Sequence, residues 1–190
     1  GIEDLLGSDF ADTLAGDGGN NHLGGGAGND TLSCAAGNDT LEPGAGNDVV
    51  DGGADVDTVS YANAAVAMSV NLATGRASGE GSDTLVGIEA SRRSALDDTL
   101  VGDGADNSFE PNDGNDRVDG GDGWDTLSYA SASDSVVVNM ATGTSSGAAG
   151  NDTFTGIEQV MGSWFDDQLN GGAGADALWA DEGNDSVSGN

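Results

Sequence analysis

The chain has 190 residues, with 34 Asp and Glu against 4 basic residues, all Arg, for a formal net charge of −30. That imbalance excludes nucleic acid and anionic membrane as natural partners, since both attract positive charge. The lone Cys34 excludes an internal disulfide, and no apolar run approaches the roughly 18 residues of a membrane-spanning helix.

Acidic, glycine-rich chains with few aromatics are ordinarily disordered, so the order of the residues has to decide. It shows a period of nine. From Gly7 to Ser60 six units follow without a gap: GSDFADTLA, GDGGNNHLG, GGAGNDTLS, CAAGNDTLE, PGAGNDVVD and GGADVDTVS. SGEGSDTLV lies at 78–86, and four more units fill 93–128: RSALDDTLV, GDGADNSFE, PNDGNDRVD and GGDGWDTLS. GAAGNDTFT occupies 147–155, and GSWFDDQLN, GGAGADALW and ADEGNDSVS fill 162–188. Of these fifteen units, thirteen carry Asp at the sixth position and two carry Asn (Asn21, Asn107). The eighth position is Leu, Val or Phe in all fifteen. A disordered chain has no reason to hold both columns in register.

The repeats predict an all-β chain, a parallel β-roll or β-solenoid of nonapeptides with two inserts of 17 and 18 residues, Tyr61–Ala77 and Tyr129–Ser146. The expected organisation is a first repeat block at 1–60 and an insert, one nonapeptide and a GIE segment at 61–92. A second repeat block at 93–128, a second insert region at 129–161 and a third block at 162–190 follow. These read as one continuous solenoid, with each insert long enough to replace one coil. Val66, Met68, Val70 and Leu72 in the first insert alternate as a half-buried strand does, as do Val136, Val138 and Met140 in the second. GIE segments open at Gly1, Gly87 and Gly156. Gly189 and Asn190 resemble the start of a further unit, so a longer parent chain is expected.

Each unit divides into a six-residue turn and a three-residue strand. The strand's middle residue points inward, so Leu32, Leu41, Val50 and Val59 are expected in an interior ladder. Three-residue strands are stable only when stacked. Two units make a coil, so turns on the same side are two units apart. Asp30 should therefore lie near Asp48, Asp39 near Asp57, Asp98 near Asp116, and Asp167 near Asp185. Carboxylate rows of this kind repel without a cation. Ca²⁺, which takes six to eight hard oxygens at about 2.3–2.6 Å, suits them, whereas Mg²⁺ holds its waters too tightly. Zinc and copper prefer Cys and His, and Cys34 and His22 fall in different columns. His22 is expected as an outward strand residue.

GGAGNDTLS, PGAGNDVVD and GGAGADALW resemble the hemolysin-type calcium-binding repeat, G-G-x-G-x-D-x-U-x with U apolar, of RTX proteins. The resemblance covers nearly the whole chain. It implies a parallel β-roll with Ca²⁺ between stacked turns, held by Asp carboxylates and turn carbonyls. The implied carboxylate ligands are Asp12, Asp30, Asp39, Asp48, Asp57, Asp83, Asp98, Asp116, Asp125, Asp152, Asp167, Asp176 and Asp185. The implied carbonyls are those of Gly25, Gly26, Ala27, Gly28, Ala36, Gly37, Gly44, Gly46, Gly114, Gly120, Gly121, Gly123, Gly171, Gly172, Gly174 and Gly183. Asn21 and Asn107 keep an oxygen but lose the charge, and should make weaker sites. Phe10, Leu96 and Phe165 replace the fourth-position glycine and are expected to pack against a neighbour. Well-formed pairs would then hold ~6–10 Ca²⁺ ions by the usual oxygen requirement.

The resemblance also implies a type I-secreted, extracellular or cell-surface protein whose repeats fold on meeting Ca²⁺ outside the cell and support a larger effector. The alternative is a structural extender or attachment module of an adhesin or surface-layer protein, reaching polysaccharide or a cell surface through its parent. Trp124, Trp164 and Trp179 could be sugar platforms, though packing between coils is the plainer expectation. No H-E-x-x-H motif, nucleophile elbow or phosphate loop occurs, so no enzyme is expected within these residues.

Overall fold

The computed structural model describes residues 3–189, and the chain divides into two compact units, Gly1–Ser94 and Ala95–Asn190. All elements among the described residues are strands. The first unit runs β1 (Asp4–Leu6), β2 (Thr13–Ala15), β3 (His22–Gly24), β4 (Thr31–Ser33), β5 (Thr40–Glu42), β6 (Val49–Asp51) and β7 (Thr58–Ser60). It continues with β8 (Ser69–Asn71), β9 (Arg76–Ser78), β10 (Ser82–Val86) and β11 (Ala90–Arg92). The second runs β12 (Thr99–Val101), β13 (Ser108–Glu110), β14 (Arg117–Asp119), β15 (Thr126–Ser128), β16 (Val136–Asn139) and β17 (Thr144–Gly147). It ends with β18 (Thr153–Thr155), β19 (Gln159–Met161), β20 (Gln168–Asn170), β21 (Ala177–Trp179) and β22 (Ser186–Ser188).

Successive nonapeptides alternate between two sheets, and strands two apart pair in parallel, which makes each unit a parallel β-roll. In the first unit β1-β3-β5-β7-β11 form one sheet, and β2, β4, β6 and β10 pair in the other. In the second unit β13-β15-β19-β21 form one sheet, and β12-β14-β18 begin the other. The eighth-position residues fill the interior. Leu32 pairs with Val50 and Leu41 with Val59, and all four are buried. They form two facing ladders, one per sheet, instead of one, because neighbouring units belong to opposite sheets. Burying each such side chain is worth about 1.5–3 kcal/mol, and the stacking supplies the burial that no three-residue strand has alone.

The inserts depart from the coil. β8, β9 and β10 form an antiparallel meander in one sheet, with β10 returning to pair in parallel with β6. β16, β17 and β18 repeat this in the second unit, with β18 returning beside β14. Each insert thus adds rungs to one sheet and none to the other. The expected alternation holds for Met68, Val70, Leu72, Val136 and Val138, which are buried, and fails for Val66, which is exposed.

After each meander the chain crosses by a three-residue turn, Gly87–Glu89 or Gly156–Glu158, where an ordinary unit uses six. The first crossing places a serine, Ser91, at the inward position of β11, opposite Val59. Arg93 is fully buried there, with Nε donating to Ser91 Oγ at 3.0 Å and Nη1 to the Met68 carbonyl at 3.5 Å.

Candidate functional site

The turns carry the chemistry, and each is fixed by what surrounds the sixth-position residue. Its backbone N–H donates to Oδ1 of the sixth-position Asp in the next coil of the same column. On one side of the first unit these bonds run Asp12 to Asp30 (2.8 Å), Asp30 to Asp48 (2.8 Å) and Asp48 to Asp83 (3.0 Å). On the other side they run Asn21 to Asp39 (2.6 Å) and Asp39 to Asp57 (2.9 Å). The second unit repeats the pattern from Asp98 to Asp116 (2.7 Å), Asp116 to Asp152 (2.9 Å), Asn107 to Asp125 (2.8 Å) and Asp167 to Asp185 (2.9 Å). The four pairs expected from the period are therefore all adjacent.

What distinguishes these carboxylates is the second oxygen. Oδ2 of Asp30, Asp39, Asp48, Asp57, Asp116 and Asp125 is buried with no hydrogen-bond partner. Anionic oxygens sealed from water without a hydrogen-bond donor carry a desolvation penalty that a bound cation or a proton would offset. Burial accordingly pushes the carboxyls of Asp48, Asp57 and Asp125 up to about 6, with neighbouring carboxylates adding to it. At five other sixth positions Oδ2 is already engaged. In Asp12 it accepts from Ser8 N–H and Oγ, in Asp167 from Ser163 N–H, and in Asp176 from Gly172 N–H. In Asp83 it accepts from the Tyr61 hydroxyl at 2.7 Å, and in Asp152 from the Tyr129 hydroxyl at 2.8 Å and Ser145 Oγ at 2.7 Å. The two asparagines are bonded differently. Oδ1 of Asn21 and Asn107 is used by the N–H of Asp17 and Asp103, and Nδ2 of Asn107 is a buried donor without a partner.

Main-chain oxygens complete the surroundings. A Cβ on Gly25 would meet both the Pro43 carbonyl and Asp30 Oδ2, one on Gly52 the Gly87 carbonyl and Asp57 Oδ2, and one on Gly120 the Gly156 carbonyl and Asp125 Oδ2. A carboxylate oxygen and a carbonyl oxygen from the next coil thus converge over each of these first-position glycines. Of the expected carbonyls, that of Gly25 converges with Asp12 Oδ2 over Gly7 and that of Gly120 with the amide oxygen of Asn107 over Gly102, while Gly26 accepts from Ala45 N–H at 2.9 Å. In the units between Gly25 and Ser60 positive φ falls at the second and fourth turn positions, as in Gly26 and Gly28, so Pro43 can stand in the first column. Among the described residues no three Cys, His, Asp or Glu side chains gather as a metal site, so a cation here depends on carbonyls as well as carboxylates. That donor set, all hard oxygen, fits calcium.

Two contributors escaped the sequence reading. Glu89 Oε2 accepts from Asp57 N–H and Glu158 Oε2 from Asp125 N–H, both at 3.0 Å. The glutamates of the GIE segments thus stand in for a sixth-position Asp, and the available signal was their place nine residues before Asp98 and Asp167. The fifth column also has a role. Its Asn and Asp side chains accept from the fifth-position N–H of the next coil, as in Asn29 with Asn47 (2.9 Å), Asn20 with Asn38 (3.0 Å) and Asp97 with Asn115 (2.8 Å).

Other expectations resolve differently. Phe10, Leu96 and Phe165 are exposed, as are Trp124, Trp164 and Trp179, so none is packed between coils. His22 faces outward on β3, with Nδ1 3.4 Å from Asp4 and Nε2 3.5 Å from Glu42. Cys34 is buried, and that burial, reinforced by the Asp39 carboxylate, pushes its thiol up to about 12.

A family model for the RTX calcium-binding nonapeptide repeat, built of 4 copies, matches residues 1–32, 35–59, 94–127, 102–136 and 161–190. A search of curated proteins finds no match.

Proposed function

The chain belongs to the RTX calcium-binding nonapeptide repeat family, and from that premise we propose that it is a calcium-binding repeat module that folds when Ca²⁺ enters its turns outside the cell, in support of a larger secreted effector. The observation that carries this reading is the row of buried, unpartnered Oδ2 atoms on Asp30, Asp39, Asp48, Asp57, Asp116 and Asp125. In a chain of net charge −30, such a row opposes folding in the absence of cations. The residues proposed to hold the ions are these six aspartates, with carbonyls of the Pro43, Gly87 and Gly156 type beside them. Glu89 and Glu158 continue the same rows, their Oε2 atoms accepting from Asp57 and Asp125 N–H. Bound Ca²⁺ supplies positive charge and oxygen coordination that water no longer gives these groups.

Binding that favours only the folded chain becomes folding free energy. The module would then stay unfolded where calcium is scarce and fold where it is plentiful, which suits passage through a type I secretion system. Far-ultraviolet circular dichroism during a Ca²⁺ titration from chelator to about 10 mM, with Mg²⁺ as control, tests this. A cooperative gain of β signal with Ca²⁺ alone is expected. A spectrum already folded in chelator would overturn the switch.

A further inference from the structure

Each insert opens on a tyrosine that follows a strand-ending serine, Tyr61 after Ser60 of β7 and Tyr129 after Ser128 of β15. Both tyrosines are buried, at 3% and 2% exposure. Each sends its hydroxyl to the first sixth-position aspartate after its insert, Tyr61 to Asp83 and Tyr129 to Asp152. The two contacts arose on inserts of different length, 17 and 18 residues, and the sequence separations differ by one to match, 22 and 23. The hydroxyl falls on the oxygen that is unpartnered one rung earlier in the same column, in Asp48 and Asp116.

The fold gives the reason. Asp48 and Asp116 each have a further turn stacked beyond them, at 78–83 and 147–152. Beyond Asp83 and Asp152 the sheet continues into the antiparallel strands β9 and β17, and an antiparallel rung brings no coil turn with its carbonyls. A cation at that level would find one carboxylate and few other oxygens, well short of the six to eight that calcium takes. A hydroxyl needs no such shell, and a hydrogen bond to a buried carboxylate is of the strong, charge-assisted kind.

Resting on the calcium reading above, we propose that Tyr61 and Tyr129 are stops for the calcium columns: their hydroxyls take the place of the ion on Asp83 and Asp152, which keep the repeat motif but bind no calcium. Columns of cations therefore end at Asp48 and Asp116, and the motif alone overcounts the sites.

Counting bound Ca²⁺ by native mass spectrometry of the full chain tests this, comparing Asp83→Asn and Asp152→Asn with Asp48→Asn and Asp116→Asn. The first pair is expected to keep the parent's ion number, and the second to lose at least one ion each. Loss of an ion from Asp83→Asn or Asp152→Asn overturns the stops. An unchanged count in Asp48→Asn and Asp116→Asn strikes instead at the calcium assignment of the column. Should a variant fail to fold, nuclear magnetic resonance of the calcium-saturated parent gives a second reading. Two slowly exchanging tyrosine hydroxyl protons are expected, and their absence means that calcium has displaced the pair.

Discussion

Asp30 and Asp48 stand one coil apart, joined by a 2.8 Å hydrogen bond from the N–H of the first to Oδ1 of the second, while Oδ2 of each is buried without a partner. The column is therefore stitched through one carboxylate oxygen and destabilised through the other. Asp30→Asn keeps an acceptor for Asp12 N–H and removes one buried charge. In chelator the variant is expected to be more stable than the parent, because an uncompensated charge is gone. In Ca²⁺ it is expected to be less stable and to need a higher ion concentration to fold. Osmolyte-induced folding in chelator and chemical denaturation in Ca²⁺ read the two signs. Asp176→Asn is the control, since Asp176 Oδ2 already accepts from Gly172 N–H and neither condition should move it far.

The pH dependence follows from the same oxygens. Carboxyls of Asp48, Asp57 and Asp125 stand at about 6 in the fold, raised by burial from an ordinary 3.8. A raised folded pKa means that the folded state binds more protons between these two values. Stability of the calcium-free chain should be greatest below about pH 4 as far as these groups decide it. That contribution is lost as pH rises through about 6. Calcium affinity should run the other way, falling as pH drops through 6, because protons compete for the same oxygens. Osmolyte-induced folding in chelator and calcium titrations, each at pH 5 and 7.5, check both slopes. A calcium-free chain that is steadier at 7.5 than at 5 would contradict this assignment.

Much of this arrangement was legible in the residues, and the rest was hidden for definite reasons. The sixth and eighth columns revealed the stacked turns and the interior ladders because each repeats every nine residues without regard to its surroundings. Glu89 and Glu158 were missed because the GIE turns are three residues shorter, which breaks the register just where the glutamate takes over from aspartate. The meanders were half legible. Alternation in Met68, Val70 and Leu72 identifies a strand but is the same for parallel and antiparallel neighbours. The difference between an open Asp48 and a hydroxyl-bound Asp83 lies in a contact across 22 residues, which no local motif encodes.

Glycines in the turns should differ sharply in their tolerance of a side chain. Gly46 has φ +149°, and a Cβ there would run into the Gly28 carbonyl of the coil before it. Gly46→Ala combines backbone strain with a main-chain collision and is expected to cost about 1–3 kcal/mol from strain alone. Gly18, by contrast, has nothing within 4 Å of such a Cβ, and Gly18→Ala should leave the midpoint nearly unchanged. Thermal melts in saturating Ca²⁺ compare the two directly.

The fifth-column ladder should contribute stability that does not depend on ions. Asn29 Oδ1 accepts from Asn47 N–H at 2.9 Å, and Asn47 Oδ1 in turn accepts from Ser82 N–H at 3.0 Å, both on the exposed flank of the turns. Asn29→Ala leaves the Asn47 amide to water, so the cost should be that of a single exposed hydrogen bond, about 0.5–1.5 kcal/mol. The carboxylates of Asp30 and Asp48 are untouched by the change, and the number of bound Ca²⁺ ions should stay that of the parent. Denaturation paired with ion counting separates the two columns. A lost ion in Asn29→Ala would mean that the ladder shapes the cation sites, and an unchanged midpoint would mean that water replaces it at no cost.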